Sequence, residues 1–313
     1  EVKAGGKGVI QVNTSFKTIS SASATADTDS YQEPSMGEIR RGLPYLRDLF
    51  RVVNLGSNTH GAVSWWEQLT VTNNATSVAE IRTVGTTSGA TWVKNTLDDK
   101  RIFDWFKVSV DSLKDINFMA GEIRRFIDKN MRLKENSQLL DGTGLTNEVA
   151  GIKTYATDFV TTGISIVKPN LIDLVGKCKT QINVDMLGGA MPNFWLASPK
   201  EVDSLRYAKD TTGRWLSENW ALGGDVRVGG ASLIENPLIV DDTLLVGDFS
   251  LGTLYVWDDL LIEIAQIEDD KKTGLTTVMA YLRENLCVRD VDKKAFVKVD
   301  SIATDLAAIT EAV

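Results

Sequence analysis

His60 is the only histidine in this 313-residue chain. Any mechanism that needs an imidazole base rests on that side chain, in the loop Asn58-Thr-His-Gly61, with no Ser or Cys nucleophile motif beside it. A lone loop histidine is ordinarily just solvated, and one histidine excludes a metal site with two His ligands from a single chain. Cys178 and Cys287, the only cysteines, stand in no CxxC or His-flanked pattern, so neither a zinc site nor a disulfide framework is expected, although one bridge stays open. Phosphate cradles fail as well. Gly176-Lys177 runs into Cys178, and Leu171 stands where a P-loop needs its first glycine. Gly142-Thr-Gly144 lacks the third glycine of a dinucleotide site and follows a predicted helix where that site needs a strand. The acidic pairs Asp98-Asp99, Asp241-Asp242, Asp258-Asp259 and Asp269-Asp270 could supply two hydrolytic carboxylates if folding brought them together. Adjacent Asp residues in predicted turns are more often solvated turn formers, and are read so here. No catalytic, cofactor-binding or metal residue is assigned, and an enzyme is not expected.

Composition supports that reading. Apolar residues make up 43% and charged residues 24%, a normal globular mix for one elaborate domain or two ordinary ones. The net charge of −8 lacks the broad basic footprint of a nucleic-acid-gripping protein, though a local basic patch is compatible with it. The eight Trp lack the basic interleaving of a base-stacking groove. No apolar run approaches the roughly 20 residues of a membrane span, and no signal-peptide pattern opens the chain. Its start at Glu1 fits a processing site or a trimmed sequence.

The elements follow from periodicity. Residues 1–31 are rich in Ser, Thr, Ala, Gly and Asp, the composition of an extended arm, floppy alone or ordered on a neighbour. A short helix or turn is expected near Tyr45–Val53. In 62–72, Val63, Trp65, Leu69 and Val71 alternate with polar residues, which predicts a strand with one apolar face; Trp66 and Glu67 break the pattern, one on each face. Asn73-Asn74 signals a turn, and a second limb at Trp92–Leu97 makes a long hairpin-like loop. Lys100–Asp111 reads as a strand with apolar residues on both faces, Phe103 and Trp105 opposite Ile102, Phe106 and Val108, so contact on both sides is expected. Leu113, Ile116, Ala120, Ile123, Ile127 and Met131 recur at helical steps and predict a helix over 112–140, capped by Ser112 and stopped at Gly142. Helices are expected at 169–183 and after Ser198-Pro199, a buried strand at 193–197, and strands through the last third, with Asp269–Gly274 as a turn. Strands on both sides of a helical region predict an α+β class.

This order of parts resembles the major capsid proteins of tailed bacteriophages, the Hong Kong 97-type fold. Thr72-Asn-Asn-Ala75 with Val78-Ala-Glu80 resembles the family's extended loop. Glu135–Gly144 resembles the end of its spine helix, and Gly151-Ile152 the entry to its axial domain. Trp195–Pro199 and Lys209–Arg214 resemble the axial core strand and turn; Val246–Phe249, Trp257–Ile267 and Tyr281–Glu284 resemble the closing strands. The match covers about Leu43–Val299. It implies an α+β capsid fold: an N-terminal arm (1–42), a short helix and connector (43–61), an extended β-hairpin loop (62–99), a peripheral domain with β-sheet (100–150 and 255–300) and spine helix (112–140), an axial α/β domain (151–254) and a tail (301–313). It further implies a homo-oligomer of pentamers and hexamers in an icosahedral shell around double-stranded DNA, contacted weakly if at all. Portal, scaffold and decoration proteins would be the partners, without membrane or cofactor. The location would be the virion, and the host cytoplasm during assembly. Trp65, Trp66, Trp92, Arg124, Arg125, Arg283 and Glu284 are the expected intersubunit contacts. Some family members crosslink an extended-loop Lys to a neighbour's Asn; here Gly61–Val93 holds no Lys, and Thr276-Thr277 stands near the place of the Asn, so no crosslink is expected. An encapsulin-type nanocompartment shell shares the fold and stays open as an alternative, ahead of a carboxylate hydrolase or a secreted β-rich adhesin.

Overall fold

The computed structural model describes residues 18–19, 45–56, 61–78, 85–115, 119–161, 165–209, 212–213, 215 and 227–311. Its strands and helices, in chain order, are β1 (Thr18–Ile19), β2 (Arg51–Asn54), β3 (Val63–Thr72), β4 (Gly89–Leu97), β5 (Lys100–Ser109), α1 (Val110–Asp115) and α2 (Met119–Asp141). There follow α3 (Ile152–Tyr155), β6 (Thr157–Asp158), α4 (Leu171–Asp185), β7 (Phe194–Ala197), α5 (Pro199–Arg206), β8 (Arg227–Val228), β9 (Ala231–Glu235) and β10 (Leu244–Gly247). β11 (Thr253–Ala265), α6 (Asp270–Thr273), β12 (Leu275–Cys287), β13 (Phe296–Val299) and α7 (Ile302–Ile309) complete the fold. The strands form a five-stranded sheet ordered β1-β5-β12-β11-β2, a six-stranded sheet ordered β6-β13-β10-β7-β9-β8, and the separate pair β3-β4. The class is α+β.

The chain divides into two compact units. The first comprises Glu1–Gly42, Arg101–Glu135 and Asp258–Arg283. Its core follows from two periodicities. Ile102, Phe106 and Val108 come from one face of β5, and Val278, Ala280 and Leu282 from one face of β12. Ile123, Ile127 and Met131, at four-residue steps on α2, close the core over them. Phe103 and Trp105, on the other face of β5, are exposed, so among the described residues the expected two-sided contact is met on one side only. The helix begins at Val110, before Ser112, because the strand turns directly into α1; Ser112 therefore lies inside α1 and not at its N-cap position. Residues 116–118, within the predicted single helix, lie outside the described residues.

Asp270 corrects the expectation of solvated acidic pairs: it is 1% exposed. Its carboxylate accepts from Lys107 Nζ (2.8 Å), Thr277 Oγ1 (2.6 Å) and the Ile267 amide (3.0 Å). The Lys107 bond first, then those of Thr277 and Ile267, hold its pKa down from 3.8 to about 2. A depressed carboxylate stabilises the fold fully above its unfolded pKa and stops doing so as pH falls through the folded value. Between about pH 4 and pH 2 the native chain should therefore lose stability that an Asp270→Asn variant has already lost at neutral pH. Urea midpoints measured at pH 6 and pH 2.5 should converge for the two proteins; a gap that stays constant counts against the assignment.

The second unit comprises Leu43–Lys100, Asn136–Trp257 and Glu284–Val313. Its core is built on the six-stranded sheet, with Trp195, Leu196 and Ala197 of β7 beside Leu244, Leu245 and Val246 of β10 and Phe296 and Val297 of β13. α4 buries Leu171, Leu174, Val175, Cys178 and Ile182, one helical face, and packs on β10 and β13. Asn170 opens it with a capping box to Asp173. The glycine stop after α2 is forced by space: a Cβ at Gly142 would lie 2.0 Å from the Val149 carbonyl oxygen. The tail (301–313), which the resemblance does not cover, forms α7. Ile302 and Ile309 are buried in the same core. Asp242 holds the start of α7, accepting from Ser301 Oγ (2.7 Å) and the Ala303 amide (2.9 Å).

Candidate interaction surfaces

Among the described residues, the groups that could do chemistry do not assemble into a site. His60 lies outside the described residues. The two cysteines are free and buried; burial pushes the Cys178 thiol up, and the Cys287 thiol up to about 11, so neither is a ready nucleophile. Among the described residues no group of three or more His, Cys, Asp and Glu could hold a metal ion. The acidic pairs serve the fold: Asp241 accepts from Ser198 Oγ (2.9 Å) and pairs with Lys200, Asp242 caps α7, and Asp258 binds Arg283 at 2.9 Å. No helix among the described residues is long and apolar enough to cross a membrane, which says nothing of β-barrels.

The exposed apolar surface is concentrated elsewhere. β3 and β4 pair antiparallel from Val63↔Leu97 to Thr72↔Gly89 and belong to no larger sheet. Trp66 pairs with Lys94 and Gln68 with Trp92, so Trp66 and Trp92 share one face as diagonal neighbours. They are 68% and 60% exposed, and Leu69 and Val71 are exposed beside them. A bare two-stranded ribbon is marginal in water, and a contiguous exposed apolar face is the kind of surface that marks interaction sites. Trp65 points the other way and is half-buried. The register shifts between Gln68 and Thr70, leaving Leu69 as the extra residue of a bulge. Asn73 and Asn74 end the strand as expected, while 79–84, including Ala79 and Glu80 of the loop motif, lie outside the described residues.

Glu67 was visible in the sequence only as a break in alternation. It is 5% exposed and accepts three N–H bonds: from Trp65 Nε1 (3.3 Å), Asn95 Nδ2 (2.7 Å) and the Val291 amide (2.8 Å). Trp257 Nε1 donates to the Gly61 carbonyl (3.2 Å) and Asn285 Nδ2 to the Asp98 carbonyl (2.7 Å), tying both ends of the hairpin down.

The remaining expected contacts divide. Arg124 and Arg125 are exposed on α2, with Arg125 bonded to Glu122 at 2.9 Å. Arg283 is half-buried against Asp258. Glu284 is fully buried, so its expected role as an intersubunit contact is corrected: a side chain without surface cannot meet a neighbour. Thr277, near the place expected for a crosslinking Asn, is buried on Asp270.

These features agree with what the chain resembles. The Phage capsid family matches residues 37–301. Over 270 residues the chain is 24% identical to the major capsid protein of Enterobacteria phage HK97, covering 85% of this chain and 68% of that protein. It superposes on a chain of Mycobacterium phage Adephagia with a TM-score of 0.67 at 14% identity, covering 87% of this chain and 94% of that one. A chain from the capsid of a native GTA particle computed with C5 symmetry gives 0.65 at 18% identity, covering 87% and 95%. With a family match across most of its length and the Hong Kong 97-type α+β fold, the chain belongs to the phage capsid family, as a structural subunit of a phage-type capsid shell.

Proposed function

We propose that this chain forms the pentamers and hexamers of an icosahedral shell that encloses double-stranded DNA, and that it carries no catalysis. One observation supports this most: the β3–β4 hairpin presents Trp66 and Trp92 largely exposed among the described residues. In this reading the hairpin (62–99) lies over a neighbouring subunit. The peripheral region (100–150 and 255–300) and the axial region (151–254) make the other subunit contacts, with Arg124, Arg125 and Arg283 among them. The net charge of −8 suits containment of DNA without tight gripping, which relies on Lys and Arg at the phosphates. Portal, scaffold and decoration proteins are the further partners proposed, with assembly in the host cytoplasm. The nanocompartment alternative is not favoured, because the curated relative is a phage major capsid protein.

Negative-stain microscopy of the expressed chain tests the reading. Closed shells or ring-shaped capsomers are the expected result; a stable monomer at high concentration speaks against it. Because 61–93 holds no Lys, the shells should dissolve to single chains on a denaturing gel. A covalent ladder would overturn that expectation.

A further inference from the structure

A carboxylate on the inward face of a strand is costly unless several donors hold it. Glu67 has three, and they come from three places: its own strand (Trp65), the paired strand (Asn95) and the segment Asp290–Ala295 outside the hairpin (Val291). An apolar side chain could fill the same space but could not orient both strands on a backbone amide; charge-assisted bonds in three directions can. Along β3, Glu67 is also the last fully buried position. Leu69, the bulge residue, follows two positions later, and from Leu69 to Thr72 every side chain is exposed. A bulge bends a strand and increases its twist. The hairpin thus has a fixed base, ending at the Glu67 rung, and an outer limb whose direction is set by that rung and the bulge.

We propose that Glu67 is the positioning residue of the hairpin: it fixes the rungs that carry the Trp66–Trp92 face, which straddle it, and together with the Leu69 bulge it aims the outer limb beyond them, so that face and limb meet a second copy of the chain. This rests on the hairpin being an intersubunit contact. The role is one of geometry, so it is distinct from contributing contact area. Glu67 itself is buried within its own chain.

The test uses the full chain carrying Glu67→Gln, a deletion of Leu69, or Trp66→Ala with Trp92→Ala. Gln keeps the size of Glu67 but turns one acceptor into a donor. The Glu67→Gln chain should keep its circular dichroism, exchange the Val291 amide about tenfold faster or more, and yield about tenfold fewer shells or less by sedimentation. Deleting Leu69 removes the extra residue while the pairs on either side can still form, so it should fold and likewise fail to assemble. Wild-type shell yield from a folded Glu67→Gln chain, or from the Leu69 deletion, overturns the positioning role. If the double Trp variant blocks assembly in that case, the contact reading survives without it. If the double Trp variant also assembles normally, the contact reading itself has failed. Should Glu67→Gln not fold, the Leu69 deletion decides alone.

Discussion

Replacing Trp66 and Trp92 together by Ala should abolish shell formation while leaving the isolated chain's melting temperature within about 2 °C of the native value. Both rings are mostly exposed, so little of their area is buried on folding and little stability is lost with them. On assembly the situation reverses. Two adjacent Trp on a narrow ribbon form the kind of aromatic cluster that dominates interfaces, at about 2 kcal/mol or more for each truncation. A closed shell repeats the same contact in every subunit, so the loss multiplies. Trp65 should behave differently. It is half-buried and gives its indole N–H to Glu67, so Trp65→Ala removes packing and leaves the buried carboxylate one donor short, at about 1–3 kcal/mol of monomer stability. Sedimentation of the two variants beside thermal melts separates these effects. Normal shells from the Trp66/Trp92 variant, or an equal melting loss in both, would sink the distinction.

The second large effect is expected at the other end of the chain. Ending the protein at Asp300 should cost about 5 kcal/mol or more, enough to leave the second unit unfolded or aggregated. α7 contributes Ile302 and Ile309 to the core, and emptying the site of a buried Ile costs about 2–5 kcal/mol each. The helix also uses the half-buried Asp242 carboxylate, which accepts from Ser301 and the Ala303 amide. The backbone of Ile166 loses its bonds to Ile309 and Glu311 as well. The single variant Ile302→Ala should lower the urea midpoint in proportion to a loss of about 3 kcal/mol. A truncated chain with a native midpoint would show that α7 is only an appendage.

Part of this could be read from local pattern alone. The four-residue steps of Ile123, Ile127 and Met131 mark the buried stripe of α2, and the face Leu171–Leu174–Val175–Cys178–Ile182 marks that of α4. Gly142 marks the helix end because only a residue without a Cβ fits there. Such signals are legible because helix and strand geometry is set by neighbours a few residues apart. The hairpin was legible too, from the alternation of β3 and the Asn73-Asn74 break.

What the sequence by itself determined about this protein is therefore the inventory: α+β elements, an aromatic hairpin and an ordered likeness to capsid proteins. What only the tertiary structure decided is which side chains face solvent and which donors converge. Glu67 reads locally as a flaw in a strand, yet its bond to Val291 spans 224 residues of chain. Asp270 and Glu284 read as surface charges and are buried. Phe103 and Trp105 read as the contacting second face of a strand and are exposed. Periodicity reports which residues share a face; only long-range pairing, which closes loops of a hundred residues and more, determines what that face meets.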